Sequence, residues 1–446
     1  MTNCTTDALT FSSLNRRKIL ADFDGGAITS DAGGLLLREV DRRIGLTEAL
    51  AAGMADPRDP ARITHDLRTL LRQRIYAIAM GYEDGNDHDQ LRHDPLMQLI
   101  TERGLDAGQS LGSPATLCRM ENTVSPDSLA RMAEVFVEQF LASHETPPER
   151  ILLDFDATDN AVHGRQEGRF FHGYYDHYCF LPLYVFCGDQ LLCAYLRPAK
   201  IDAAKHSRAI LKLLVNRIRQ AWPKTKIVFR GDSGFCRWKL LRWCDRNDVG
   251  YIVGLAKNER LKRFARRIIT TARWRHRCTG DKQRLFDEFS YAAGPWDTER
   301  RVIAKAEHSD EGANPRFVVT NLPGDPQTLY DEVYCQRGEM ENRIKEQQLC
   351  LFADRTSCHA FAANQFRLLL SSAAYVLLES LRRVALAGTK LARARCDTIR
   401  LRLLKIGARV VQSVRRVVLH LASGHPSAAL LHTAVARLRG QPPVPI

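Results

Sequence analysis

The sequence predicts an α/β protein, with a mixed α/β layer in mid-chain between a mainly helical N-terminal region and a basic helical C-terminal one. Three observations carry this. The apolar runs Ile151-Leu152-Leu153 and Ile227-Val228-Phe229 lead into acidic or charged residues, as a buried strand does where it reaches solvent. Between and after them, stretches of helical periodicity alternate with further short apolar runs. The charge is also uneven: 13 of the 65 Lys/Arg but only one of the 51 acids, Asp397, follow residue 381.

Residues 1–147 read as helical after a short start. Asp24 to Gly34 is Gly-rich and turn-like, without the spacing or the lysine of a nucleotide loop. Ile63, Leu67, Leu70, Leu71, Ile75 and Ile78 recur at helical spacing. Ser113-Pro114 and Ser125-Pro126 each put a capping hydroxyl before a proline at the first helical position. The short Asn122-Thr123-Val124 between them predicts a helix-turn-helix-like pair, a DNA reader or plain packing.

Pro147-Pro148 marks a boundary. Residues 148–256 then read as the strand from Ile151, a hairpin of Phe180 to Cys187 and Leu191 to Leu196 split by Gly188-Asp189, a helix from Ser207 to Trp222, the strand from Lys226, another helix, and the strand from Tyr251 to Leu255. Three strands, a helix, a strand, a helix and a strand is the order of an RNase H-like fold. Residues 257–315 read as an inserted subdomain, opening with Arg260, Lys262, Arg263, Arg266 and Arg267 and continuing with arginines around Trp274. Residues 316–381 return through the strand Arg316 to Thr320, a charged helix and an apolar helix from Ala360 to Leu381. Residues 382–446 form the basic helical tail, expected to fray at Gln441-Pro442-Pro443-Val444-Pro445.

The net charge of +14 sits mainly in that tail. Such a segment is drawn to a polyanion through counterion release; a solvated helix face is the plainer account. No apolar run of about 18 residues predicts a membrane span, and no secretory signal is read at the N-terminus. The 12 cysteines include no C-x-x-C pair, which predicts neither a zinc site nor a disulfide framework and suits a reducing cytoplasm.

Asp154 and Asp156 lie two apart on one strand and share a face, so either can be the ligand. Asp232 ends the second strand. Tyr334, Arg337, Glu341 and Lys345 fall at spacings of 3, 4 and 4, one face of a helix. Taken singly, an aspartate of this kind caps a turn, and the helix carries a ladder of ion pairs. Taken together, carboxylates from three distant segments of a basic protein point to divalent ions positioned on a phosphodiester. Gly231-Asp232-Ser233-Gly234 has the look of a serine-protease nucleophile loop, but Phe235 replaces the final glycine and no partner histidine motif is present. His172, His177 and Cys179 read as incidental members of an aromatic-rich loop rather than a metal site.

The chain resembles the bacterial insertion-sequence transposases of the DDE type, in the branch numbered thirteen-eighty, related to the insertion-sequence-four group. The likeness covers nearly the whole chain. It runs through Asp24-Gly25-Gly26, Thr29 to Gly34, Gly81-Tyr82-Glu83-Asp84, Asn86-Asp87, Thr116 to Asn122, Tyr174 to Cys179 and Ala363 to Arg367. It implies an RNase H-like (retroviral-integrase-like) catalytic core with a β-rich insertion before the glutamate helix. The family's first motif is an acid, any residue, then Thr, which Asp156-Ala157-Thr158 fits, favouring Asp156 over Asp154. Arg230-Gly231-Asp232 fits the second motif, and Tyr334, Arg337 and Glu341 the third. Where the related pattern carries Lys this chain has Gln348, and Lys345 is the nearest base.

The resemblance implies that Asp156, Asp232 and Glu341 hold two Mg²⁺ ions, or Mn²⁺ in their place, about 3.5–4 Å apart. Tyr334, Arg337 and Lys345 would hold phosphates. The expected activity is cleavage of double-stranded DNA at inverted-repeat ends and joining of the 3′-hydroxyls to target DNA, within a synaptic homodimer in the bacterial cytoplasm. The N-terminal helices and basic tail are the expected end-binding parts. A stand-alone nuclease of the same fold, or an inactive DNA-binding repressor, are the alternatives.

Overall fold

The computed structural model describes residues 8–105 and 110–440, so the run 441–445 lies outside the described residues. Two units divide the chain: residues 125–349 with 353–372, and residues up to 124 with 350–352 and 373 onward.

The first of these is built on a nine-stranded sheet. Its strands are β1 (Arg150–Ala157), β2 (Leu183–Cys187), β3 (Gln190–Tyr195), β4 (Lys226–Gly231), β5 (Gly250–Leu255), β6 (Gln283–Tyr291), β7 (Arg300–Ser309) and β8 (Arg316–Thr320). Across the sheet they run β6-β7-β8-β5-β4-β1-β2-β3, with the short strand Gly312–Ala313 on β7. β1, β4 and β5 are mutually parallel, and every other neighbour is antiparallel. Helices α1 (Ser207–Ala221) and α2 (Trp238–Arg246) supply the crossovers that parallel strands require.

Strand alternation sorts the side chains. Leu153 and Phe155 of β1, Ile227 and Phe229 of β4, and Tyr251 and Val253 of β5 enter one core with Leu211 and Ile218 of α1 and Leu241 of α2. Each such side chain contributes about 1.5–3 kcal/mol by leaving water. Ile252, Ile303 and Val318 point to the opposite face and meet Leu329 and Tyr330. Asp154 and Asp156, alternating with Leu153 and Phe155, belong to that second face.

Several expectations are corrected here. The strand read from Phe180 starts at Leu183, because Pro182 has no N–H for the ladder and Phe180 ends a separate strand, His177–Phe180. The stretch 257–315 gives helices Glu259–Phe264 and Arg266–Thr279, and its long strands β6 and β7 continue the same sheet through β8. Ile268 and Ala272 anchor the second helix in the core, leaving Arg267, Arg273, Arg275 and Arg277 exposed. Ser113 and Ser125 do cap helices Pro114–Asn122 and Pro126–Ala142. Those helices fall in different units, and the second buries Val137, Phe140 and Leu141 against the sheet. The apolar helix spans Phe361–Ser380. With its continuation to Ala385 it is long and apolar enough to cross a membrane, yet 83% of its most apolar window is buried inside the protein, as in a core helix.

The other unit centres on helix Leu67–Met80, capped by Asp66, whose carboxylate accepts from Thr69 N. Its Leu70, Leu71, Ile75 and Tyr76 are buried. A β-carbon on Gly33 would lie 1.7 Å from the Leu403 carbonyl oxygen, so the Gly33-Gly34 pair serves close backbone packing. Tyr82 and Lys405 both bond to the Asp31 carboxylate, and the Lys405 ammonium also sits 4.0 Å over the Tyr82 ring. Two of the family-like segments therefore interlock. The C-terminal region is not wholly helical: Ala408–Ser413 and Arg416–Leu421 form a hairpin that pairs with Ile28–Thr29. Valines at 410, 411, 414, 417 and 418 favour strand, a signal masked in the sequence by the density of arginines. The described cysteines are free thiols.

Candidate active site

The parallel register of β1 and β4 pairs Arg230 with Asp154 and Gly231 with Phe155. Asp232 keeps extended backbone (φ −76°, ψ −173°), so one further step of the ladder brings it level with Asp156. Neighbouring strands are about 4.8 Å apart, which sets two carboxylates side by side at the carboxyl edge of the parallel strands. Asp232 Oδ1 accepts from Gly234 N at 2.8 Å, turning the chain sharply away just after the acid.

Asp154 is occupied otherwise. It is buried, and both its oxygens accept from the Arg230 guanidinium, with Arg230 Nη2 at 2.6 Å from Oδ2. Arg230 also donates to the Val333 carbonyl, tying the segment before the glutamate helix to the sheet. In this arrangement Asp156 is the more accessible of the two aspartates.

Glu341 lies on α3 (Gly338–Leu351). The preceding residues do not form one regular helix with it: Leu329–Tyr334 winds as a π-helix and Cys335–Arg337 as a 3₁₀ turn. Arg337 is the link between the acids. Its Nη1 lies 3.1 Å from Asp156 Oδ2 and its Nη2 2.7 Å from Glu341 Oε1. Burial works against its charge, but the fields of Asp156, Asp232 and Glu341 prevail and hold its pKa above the ordinary value. Burial pushes the Asp156 carboxyl up to about 7; Arg337 opposes this, while Asp232 and Glu341 add to it.

Tyr334 is held over β5. Burial raises its pKa, which keeps the hydroxyl a donor. A β-carbon on Gly254 would lie 2.6 Å from the Tyr334 hydroxyl oxygen and 2.8 Å from Ser233 N, so only glycine lets both approach. Gly254→Ala should cost about 1–3 kcal/mol of stability through overpacking and should cut any activity of the site. An unchanged melting temperature would show that the close approach is relaxed at no cost.

Lys345 is exposed, and among the described residues no ion pair joins it to the three acids. Gln348 is engaged elsewhere. Its Nε2 donates to Asp159 O at 2.9 Å and Asn160 Oδ1 at 3.0 Å, pinning the loop after β1 to α3. His177 Nε2 lies 2.8 Å from Asp159 Oδ2, and Cys179 is a buried thiol with its pKa pushed up to about 11.

Among the described residues no three of His, Cys, Asp or Glu already stand as a closed metal-ligand group. The Arg337 guanidinium bonds Asp156 and Glu341 instead. The donor set nevertheless suits a hard divalent cation: three carboxylates face one guanidinium, and the shortage of positive charge adds to burial in lifting Asp156. Sequence reading missed Gly254 and the roles of Arg230 and Gln348. Each depends on which strands are neighbours, and nothing in local spacing announces it.

Parallel strands thus end in register-matched acids, and an arginine joins Asp156 to a glutamate on a following helix. The model of the family Transposase DDE domain group 1 matches residues 11–443. The chain belongs to this family of DDE transposases. Among solved structures it is similar to a piggyBac transposase, in a structure titled as a cryo-EM synaptic complex with hairpin DNA. The identity is 11%, the TM-score 0.43, and the match covers 84% of this chain and 79% of that one. No curated protein is a significant match.

Proposed function

We propose that this chain cleaves DNA at the inverted-repeat ends of an insertion sequence and joins the freed 3′-hydroxyls to target DNA, on an RNase H-like core. The observation that carries the reading is the convergence of Asp156, Asp232 and Glu341 on Arg337 in a chain of this family. The strand order β3-β2-β1-β4-β5, with β1, β4 and β5 parallel, supports the core assignment.

Asp156, Asp232 and Glu341 would hold two Mg²⁺ or Mn²⁺ ions, which supply activation of the attacking oxygen and stabilisation of the leaving 3′-oxygen. Arg337 neutralises two of the acids in the resting protein and is placed to turn one of its N–H pairs to a phosphate. Tyr334 offers a protonated hydroxyl to a neighbouring phosphate oxygen. The first reaction breaks a P–O3′ bond by water; in the second the freed 3′-hydroxyl attacks a target phosphodiester and displaces that strand's own 3′-oxygen, so no covalent protein–DNA intermediate forms. Lys345 is assigned to the phosphate backbone at the rim. The exposed arginines of the 266–279 helix and the basic C-terminal region supply sequence-independent attraction to DNA. Both ends are held together by a synaptic homodimer in the bacterial cytoplasm.

The test is nicking of a duplex carrying the element's ends, with Mg²⁺. Asp232→Ala should lower the rate by about 10³-fold or more, equivalent to losing several kcal/mol of charge stabilisation, while end binding persists. Nicking by that variant at the wild-type rate would remove the assignment. Pre-cleaved ends that are never joined to target would leave a nuclease; absence of Mg²⁺-dependent nicking by the wild type would leave a DNA-binding repressor.

A further inference from the structure

Residues 54–124 enclose a cavity that contains none of the three acids and that the proposed reaction does not use. Its volume is about 460 Å³, within the range of small-molecule sites, about 300–1,000 Å³. Its walls are the connection 54–65, stiffened by Pro57 and Pro60, the start of helix Leu67–Met80, Arg92, and residues 110–124. Leu67, Leu70, Leu111 and Met120 give it an apolar side.

The rest of the lining is cationic. Arg58, Arg62, Arg92 and Arg119 stand against one carboxylate, Asp56. Arg58 is taken up by that carboxylate, with Nη2 2.6 Å from Oδ2, and by the His65 carbonyl, while Arg62 lies 3.6 Å from Asp59. Arg92 and Arg119 have no ion pair among the described residues. The backbone of Arg92 is fixed, its carbonyl accepting from Leu111 N at 3.0 Å and Gln98 Nε2 at 3.3 Å. Its Nε is shielded from solvent and has no hydrogen-bond partner, and the same holds for His65 Nδ1. Polar nitrogens kept from water in this way are costly unless something binds them. Burial, with Arg103 and Arg58 nearby, lowers the His65 pKa, so that ring adds a hydrogen bond rather than a charge. Arg119 Nη2 reaches Thr116 Oγ1 at 3.2 Å. Thr116 and the capping Ser113 line the cavity at the start of helix Pro114–Asn122, where the helix's positive end favours an anion.

Two guanidinium groups without a carboxylate call for a ligand of about two negative charges, and their forked donors suit phosphate oxygens. A phosphate monoester carries about −1.5 to −2 at pH 7. The apolar side then takes the group the phosphate is attached to. We propose that this cavity binds a small phosphate monoester with an apolar body, its phosphate on Arg92 and Arg119 and its body against Leu70, Leu111 and Met120. Binding needs none of the three acids, so loss of cleavage and loss of this site are separate outcomes.

The test is calorimetric titration of the full-length protein, in EDTA, with phenyl phosphate. Arg92→Met and Arg119→Met should each weaken binding about 10- to 150-fold. Arg246→Met, which removes an exposed charge at the end of α2, should leave the affinity unchanged. Without ligand, Arg92→Met should melt no lower than wild type, because it removes a buried nitrogen that has no partner; an arginine with a structural role would lower the melting temperature. Phenol and inorganic phosphate, each lacking one half of the probe, should bind more weakly than phenyl phosphate.

No binding by the wild type, or equal binding by wild type and both arginine variants, would overturn the site. So would a matching loss in Arg246→Met, which marks general attraction to a basic protein, or phenol or inorganic phosphate binding as tightly as the probe. A 5′-phosphorylated oligonucleotide that binds through Arg92 and Arg119 where phenyl phosphate does not would overturn it too, and would give the cavity to DNA.

Discussion

Asp156→Asn should abolish cleavage and, in metal-free buffer at pH 8, make the protein more stable than wild type. The sign follows from the carboxyl's pKa, about 7 in the folded protein against a reference of 3.8. The folded state therefore holds a proton that the unfolded state has released, and stability falls as pH rises between these values. The contribution is fully present below about pH 4 and lost as pH climbs through 7. The whole span corresponds to at most about 4 kcal/mol. The amide carries no charge to bury, so the variant's advantage should be largest at pH 8, smaller at pH 6 and gone near pH 4. Urea unfolding at those three pH values in EDTA measures it. A variant no more stable than wild type at pH 8 would mean that burial, with the neighbouring acids, does not disfavour the Asp156 carboxylate.

Two residues earlier, the opposite result is expected. Asp154→Ala leaves the Arg230 guanidinium buried without its carboxylate. Removing one partner of a buried pair costs about 3–5 kcal/mol, because the remaining charge is uncompensated. The loss also frees Arg230 from its position under the Val333 carbonyl and so loosens the approach to the glutamate helix. Replacing both partners, Asp154→Leu with Arg230→Met, should recover much of the stability. A double variant as unstable as the single one would show that the pair's hydrogen bonds, rather than the stranded charge, carry the effect. Burial lifts both carboxyls on this strand face, yet removing one relieves a buried charge where removing the other strands a buried guanidinium.

The parallel layer was legible in the sequence because its cues are local: apolar runs, the Gly188-Asp189 turn and the helical spacing from Ser207 each lie within a few residues. The acids at 156, 232 and 341 were named from motif spacing, but spacing within a segment says nothing of its neighbours. The pairing of Asp154 with Arg230 is a cross-strand contact, and the need for glycine at 254 comes from a tyrosine 80 positions later. The change of winding between Leu329 and Arg337 was hidden for a related reason. Regular helical periodicity fits those residues well enough that only their contacts with the sheet reveal the departure. The C-terminal hairpin was missed because arginines weighed more than the density of valines.

The ladder between β1 and β4 acts as a ruler for the two aspartates. Their separation is fixed by hydrogen bonds of the backbone, not by loops that can drift. Inserting one residue within β4 ahead of Asp232 would turn its side chain to the helix-covered side of the sheet, whereas the same insertion between α2 and β5 would shift only a connection. Tolerance to length change should therefore alternate sharply along this chain, and a scan of single-residue insertions would trace the measuring edge without reference to chemistry.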